Sequence, residues 1–135
     1  MRFLPTRIHG ILDYLTALLL MGSPWLLGFY TSGYETYVPV ALGVITIVYS
    51  LFTDYELGVI RRLSMRTHLG LDLANGILLA ASPWLFNFAG YVKLPHLFIG
   101  LMEIAVVMIS QTHPPPKSAA PDSVLTGPGD TRRQR

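Results

Sequence analysis

His9 and Asp13 stand four residues apart, and so do His68 and Asp72. On a helix that spacing places each pair on one face, one turn apart. An imidazole beside a carboxylate is the pairing that proton relays, metal sites and acid–base catalysts share. Arg7 and Arg66 each precede their histidine by two residues, and Glu103 supplies a third acid inside an apolar stretch. The candidate polar cluster is therefore Arg7, His9, Asp13, Arg66, His68, Asp72 and Glu103. Asp13 lies about 9 Å along a helix from Arg7, and Glu103 about 10 Å from Ser110, so the acids are expected to share one depth. A carboxylate in an apolar helix must face protein or water and find a partner. The two arginines can snorkel nearby. The simplest role for these residues is a buried polar network that holds helices in register. The same groups would also suit a proton or ion path, a small-ligand site, a metal site of two His and two Asp, or enzyme chemistry.

No local motif singles out a reaction. The chain has no cysteine, which removes disulfides, thiol catalysis and Cys-ligated zinc. It has no His-Glu-x-x-His, no phosphate-cradling glycine loop and no serine elbow. No catalytic residue, metal or cofactor is assigned from sequence, and the protein is not expected to be an enzyme. The basic residues lack the aromatic interleaving that nucleic-acid binding would need, so no nucleic-acid partner is expected.

The elements that position these residues are apolar. Hydrophobic residues make up 51% of 135 and charged residues 13%, against about 25% charged in a soluble domain. Four apolar segments are read, over residues 8–29, 38–52, 68–88 and 94–110. A membrane span needs about 20 residues. The first and third segments meet that length, and the second and fourth are expected to extend at their ends. A cleaved signal peptide at the start is rejected, because Asp13 interrupts the apolar run and the same pattern recurs in mid-chain.

Nine of the ten basic residues fall before segment one, between segments two and three, or after segment four; only Lys93 lies in another loop. The positive-inside rule then makes both termini cytoplasmic. Residues 112–135, with His113-Pro-Pro-Pro-Lys117 and a basic end, are expected to form a disordered cytoplasmic tail.

Shifting the chain by 59 residues reveals a repeat. Leu4, Arg7, His9, Leu12, Asp13, Leu19, Leu20, Ser23, Pro24, Trp25, Leu26 and Phe29 each meet an identical residue, twelve identities over 26 positions. Apolar bias alone would not match Arg, His, Asp, Ser, Pro and Trp together. The later halves align loosely: Pro39 with Pro95, Gly43 with Gly100, Thr46 with Glu103. The expected architecture is an all-α membrane protein. Its four transmembrane helices form two tandem two-helix repeats, residues 4–55 and 63–111, related by a pseudo-twofold axis along the membrane normal.

Ser23-Pro24-Trp25 and Ser82-Pro83-Trp84, with the His/Asp pairs upstream, make the chain resemble the SPW-repeat membrane proteins over about residues 4–111. The resemblance implies a membrane fold and brings no assigned activity and no catalytic residues. Copy two has Asn87 where copy one has Gly28, so the motif leaves that position unfixed.

Within the motif, Pro24 and Pro83 are expected to kink or restart the helix, with the preceding serine as an N-cap. Trp25 and Trp84 then anchor at the outer interface. Gly70/Ala74 and Gly76/Ala80 have the small-x-x-x-small spacing that permits close helix contact. The loop over 53–67 is expected to form a short interfacial helix with Leu57, Ile60 and Leu63 toward lipid. The function expected is that of a non-enzymatic scaffold or accessory subunit. Its partners would be the lipid bilayer and a second copy or another membrane protein. The alternatives are a small proton- or ion-coupled transporter or sensor using Asp13, Asp72 and Glu103, or a membrane-interface enzyme using the His/Asp pairs.

Overall fold

The computed structural model describes residues 2–114. The expected disorder of the tail falls, from residue 115 on, outside the described residues. Four helices follow one another: α1 Thr6–Leu26, α2 Tyr34–Phe52, α3 Met65–Leu85 and α4 Leu94–Ile109. Among the described residues there is no strand, only two isolated bridges. The helices start up to four residues earlier than the apolar segments suggested. Helix α1 begins directly after Pro5, and the hydroxyl of Ser64 caps α3 by accepting from the Thr67 N–H.

By length and composition together, only α2 among the described residues is apolar and long enough to cross a bilayer, with α4 a shorter apolar helix. The first and third helices have the expected length, but composition sets them below α2. Helices α1 and α3 have 21 residues each, about 31 Å, yet they carry His, Asp, Asn and Ser, which lower their apolar content. Helix α2 gains its length by starting at Tyr34 instead of Val38.

The helices pack mainly as two pairs, α1 with α2 and α3 with α4, and α2 also touches α3. Small residues set the close approaches. A Cβ on Gly43 would lie 2.7 Å from the Ala17 carbonyl oxygen, and a Cβ on Gly100 would lie 2.6 Å from the Gly76 carbonyl oxygen. No real side chain tolerates such contacts with backbone, so each pair needs a glycine there. Gly76 and Ala80 thus sit in a helix contact, whereas Gly70 faces open space and Ala74 is exposed. Gly70/Ala74 plays no packing role.

One leucine or isoleucine from each helix forms the central apolar layer: Leu20, Leu42, Leu79 and Ile99. A second apolar cluster of Tyr55, Met65, Leu69 and Val107 closes the end where the α2–α3 loop lies. Outside, Leu15, Leu18, Val44, Val48, Ile77, Phe98, Leu101 and Met108 are exposed on all four helices. That many exposed apolar side chains suit a bilayer better than water.

Both prolines lie inside their helices, which run on to Leu26 and Leu85. The expected N-capped restart does not occur, for a local reason. A proline at position 24 deprives the Leu20 carbonyl of its i+4 donor. The Ser23 hydroxyl donates to that carbonyl at 2.9 Å, and the Ser82 hydroxyl donates to the Leu79 carbonyl at 2.7 Å. Serine before proline replaces the lost N–H. Trp25 and Trp84, the residues after the prolines, are exposed. About one turn later, Gly28 and Asn87 both have positive φ, 70° and 59°. The left-handed position that ends a helix accepts Gly or Asn, so backbone conformation fixes the site that residue identity appeared to leave free.

The 53–64 connection forms no helix. The N–H groups of Val59 and Ile60 both reach the Leu51 carbonyl, those of Arg62 and Leu63 reach the Phe52 carbonyl, and Arg61 has positive φ. The segment is a compact turn wrapped on the end of α2, with Leu57 packed on the Tyr55 cluster and Ile60 exposed. Burial pushes the pKa of the Tyr55 hydroxyl up, so it stays neutral. Tyr55 also occupies the space over Gly10, where a Cβ would collide with its ring.

Candidate functional site

The first turns of α1 and α3 bring His9, Asp13, His68 and Asp72 to a single point. All four are buried, the histidines at 0–1% exposure and the aspartates at 6–7%. The spacing of four would pair each His with the Asp of its own helix. Those contacts exist, His9 Nε2–Asp13 Oδ1 at 3.3 Å and His68 Nε2–Asp72 Oδ2 at 3.2 Å. The shorter contacts cross between helices: His68 Nε2–Asp13 Oδ2 at 2.9 Å and His9 Nε2–Asp72 Oδ2 at 3.0 Å. The two Nε2 atoms lie 3.2 Å apart, and the rings meet edge-on. The centre therefore exists only when α1 and α3 are docked.

Outer groups orient three of the four members, His9, His68 and Asp72. Ser110 Oγ lies 2.8 Å from His9 Nδ1, and Thr53 Oγ1 lies 2.8 Å from His68 Nδ1. The Tyr49 hydroxyl donates to Asp72 Oδ1 at 2.5 Å. Asn75 donates to Thr46 Oγ1 at 2.9 Å and more weakly to the Tyr49 oxygen at 3.4 Å. Thr53 and Ser110 are the C-cap residues of α2 and α4. Each hydroxyl serves the histidine of the other repeat's first helix.

Glu103 approaches the centre from α4. It borders a small cavity with His9, Asp13, Thr16, Thr46 and Asp72, about 20 Å³ in volume, room for roughly one water. Its Oε2 is buried without a partner. Asp13, Asp72 and Glu103 line the same cavity. Arg7 and Arg66 do not join them: both are exposed, and the Arg66 guanidinium lies 3.5 Å from His113. Two residues along a helix is about 200° of rotation, so an arginine two before a buried histidine faces away from it. The partner that each Asp needs is a histidine, not an arginine.

The repeat-motif residues assemble at the other end. Phe29 and Phe88 both pack on His96, with ring centroids 5.2 and 4.9 Å away. His96 Nε2 donates to the Glu35 carbonyl at 3.0 Å. Trp25 stacks on Tyr30, and Tyr34 stacks on Phe86. The Ser-Pro-Trp end is thus an aromatic rim distant from the His/Asp centre.

Sequence reasoning missed Tyr49, Thr53, Asn75, Ser110 and His96. A signal for two of them was present. Beyond the first helix the copies align at an offset of 57 instead of 59, which pairs Gly43 with Gly100 and also Thr53 with Ser110. A hydroxyl residue at the end of each second helix is part of the repeat.

No curated protein and no solved structure matches the chain. The SPW repeat domain family matches residues 7–110, which spans both His/Asp pairs, both Ser-Pro-Trp triplets and both hydroxyl caps. The chain belongs to the SPW repeat family.

Proposed function

We propose that this protein is a non-enzymatic component of the cytoplasmic membrane, a scaffold or accessory subunit that packs with itself or with another membrane protein. All four helices span the bilayer, with both termini and the 53–64 loop on the cytoplasmic side. The copies are related by a pseudo-twofold axis along the membrane normal. Matching contacts at equivalent positions support that symmetry: Leu20 with Leu79 in the apolar layer, Thr53 and Ser110 on the histidines. The aromatic rim of Trp25, Tyr30, Tyr34, Trp84 and Phe86 suits the opposite interface.

The observation that carries the non-enzymatic reading is the burial of the polar centre, with both imidazoles at 0–1% exposure. The space beside it holds about one water, which supports a structural role over substrate binding. The test is crosslinking in native membranes followed by isolation in mild detergent. A specific oligomer or a recurrent membrane partner is expected; a monomer that crosslinks to nothing overturns the reading. Single cysteines at positions 61 and 93, labelled from either side of the membrane, are expected to report opposite faces.

A second reading, an ion- or proton-coupled sensor, is favoured by the unpartnered Glu103 Oε2 on that cavity. It expects Glu103→Gln to abolish a cellular phenotype at unchanged expression and thermal stability.

A further inference from the structure

We propose that His9, Asp13, His68 and Asp72 bind one divalent cation of the zinc class in a closed tetrahedral site that joins the two repeats. This goes beyond the scaffold reading and stands apart from it.

Proton counting comes first. Thr53 Oγ1 lies 2.7 Å from the Tyr49 carbonyl and Ser110 Oγ lies 2.6 Å from the Val106 carbonyl. A carbonyl only accepts, and a hydroxyl has one hydrogen. Each hydroxyl therefore spends its hydrogen on its own helix and must accept from the imidazole. His9 and His68 both carry their proton on Nδ1. In the neutral rings Nε2 is then a bare lone pair on each, and both lone pairs point at the same place.

Electrostatics follows. Two bare nitrogens 3.2 Å apart, with two carboxylates within 3.3 Å of them, are four acceptors facing one another with no donor. Protonating both Nε2 atoms gives two imidazolium–aspartate pairs of zero net charge, His9 with Asp72 and His68 with Asp13, but holds two cationic N–H groups 3.2 Å apart in a dry interior. One divalent cation offsets the same two carboxylates and takes both nitrogens as ligands, so no cationic N–H faces another. Burial in low dielectric sharpens that difference.

Geometry agrees. Zinc bonds to His and Asp of about 2.0–2.2 Å place tetrahedral ligand atoms about 3.3–3.6 Å apart. His9 Nε2, His68 Nε2 and Asp72 Oδ2 form a nearly equilateral triangle with sides of 3.2, 3.0 and 3.2 Å. Asp13 supplies the fourth ligand, with Oδ2 2.9 Å from His68 Nε2 and Oδ1 3.3 Å from His9 Nε2. One ligand atom from each residue can be chosen so that all lie within 4.8 Å of one another. An outward shift of a few tenths of an ångström makes one face of a zinc tetrahedron. The outer contacts have the form that metal-bound imidazoles and carboxylates require: Nδ1–H to Ser110 and Thr53, and the Tyr49 hydroxyl on Asp72. Four protein ligands leave no open coordination position, so the ion is structural.

The experiment uses the full chain, purified with a tag that lacks histidine, held in lipid nanodiscs and stripped with a chelator. Titration with Co²⁺ is expected to give the intense visible bands of tetrahedral cobalt at one ion per chain. Zn²⁺ should displace it, and either ion should raise the unfolding midpoint. Thr53→Val and Ser110→Ala leave all four ligands in place and are expected to weaken binding about 10–100-fold. His9→Gln abolishes the bands, and the two hydroxyl variants keep the test decisive if that chain does not fold. A stripped wild-type chain that stays helical and monodisperse but shows no tetrahedral bands and no rise in midpoint overturns the proposal. So does a weak octahedral spectrum that Thr53→Val leaves unchanged, which is adventitious surface binding. Crosslinking in native membranes reads the scaffold function separately, so either result stands without the other.

Discussion

Ser23 and Ser82 show how one side chain makes an unfavourable neighbour tolerable. Proline in a helix interior costs about 3 kcal/mol, partly through the carbonyl it leaves unpaired. Here the preceding hydroxyl donates to that carbonyl, at Leu20 and Leu79. The two residues act as a unit, and a double-mutant cycle measures it. Ser23→Ala alone is expected to destabilise the bundle by about 1–3 kcal/mol, the cost of a buried unsatisfied group. In a Pro24→Ala background the restored N–H takes over, and the same serine change becomes nearly neutral. Equal losses in both backgrounds, read from unfolding in detergent, would mean the serine serves something else. The His/Asp centre sets a second residue-scale expectation. Asp13→Asn removes one of the two carboxylates that balance the positive charge at the centre, whether protons or an ion carry it, so thermal stability should fall by about 3–5 kcal/mol, as when one partner of a buried pair is removed.

Helix-scale packing rests on where a side chain is forbidden. Gly43 and Gly100 lie against backbone atoms of α1 and α3, whereas Gly70 faces nothing within 4 Å. Gly43→Ala is therefore expected to separate α1 from α2 and lower stability by about 1–3 kcal/mol. Gly70→Ala should instead be neutral or stabilising by up to about 1 kcal/mol, through helix propensity. Circular dichroism melts of the two variants side by side check the contrast. The sequence showed the existence and order of the four helices, because apolar runs are hard to miss. It placed the starts of α1, α2 and α3 late, because polar residues such as Thr6, Glu35 and Arg66 continue a helix beyond its apolar part. The His/Asp cluster was legible from the repeat. Its geometry was not, since spacing along one helix favours pairs within a helix and the shorter contacts run between helices. Arg7 and Arg66 were misplaced for the same reason: closeness in sequence was read as closeness in space. Tyr49, Thr53 and Ser110 come from helix ends that meet the centre only after folding, and the change of offset from 59 to 57 hid their equivalence.

At the scale of the molecule, the polar centre lies toward one end of the bundle, and the aromatic rim lies at the other. Between them sits a single apolar layer to which each helix contributes one side chain. The segment before each first helix is also tied to the end of a second helix. Leu63 pairs in parallel with Thr53, and Leu4 pairs in parallel with Ser110. The hydrogen bonds match: Leu63 N–H to the Phe52 carbonyl at 2.8 Å, and Leu4 N–H to the Ile109 carbonyl at 3.0 Å. One of these seams is covalently bridged by the 53–63 turn; the other joins the start of the described chain to its far end. In connectivity the bundle is a ring that happens to be cut at one of two equivalent seams. A circular permutant that begins at Arg62, runs through α3 and α4, continues by a short linker from Gln111 to Arg2 and ends at Gly58 is therefore expected to fold with its His/Asp centre intact. Far-ultraviolet dichroism and the unfolding midpoint of that permutant, compared with the parent chain, read the result.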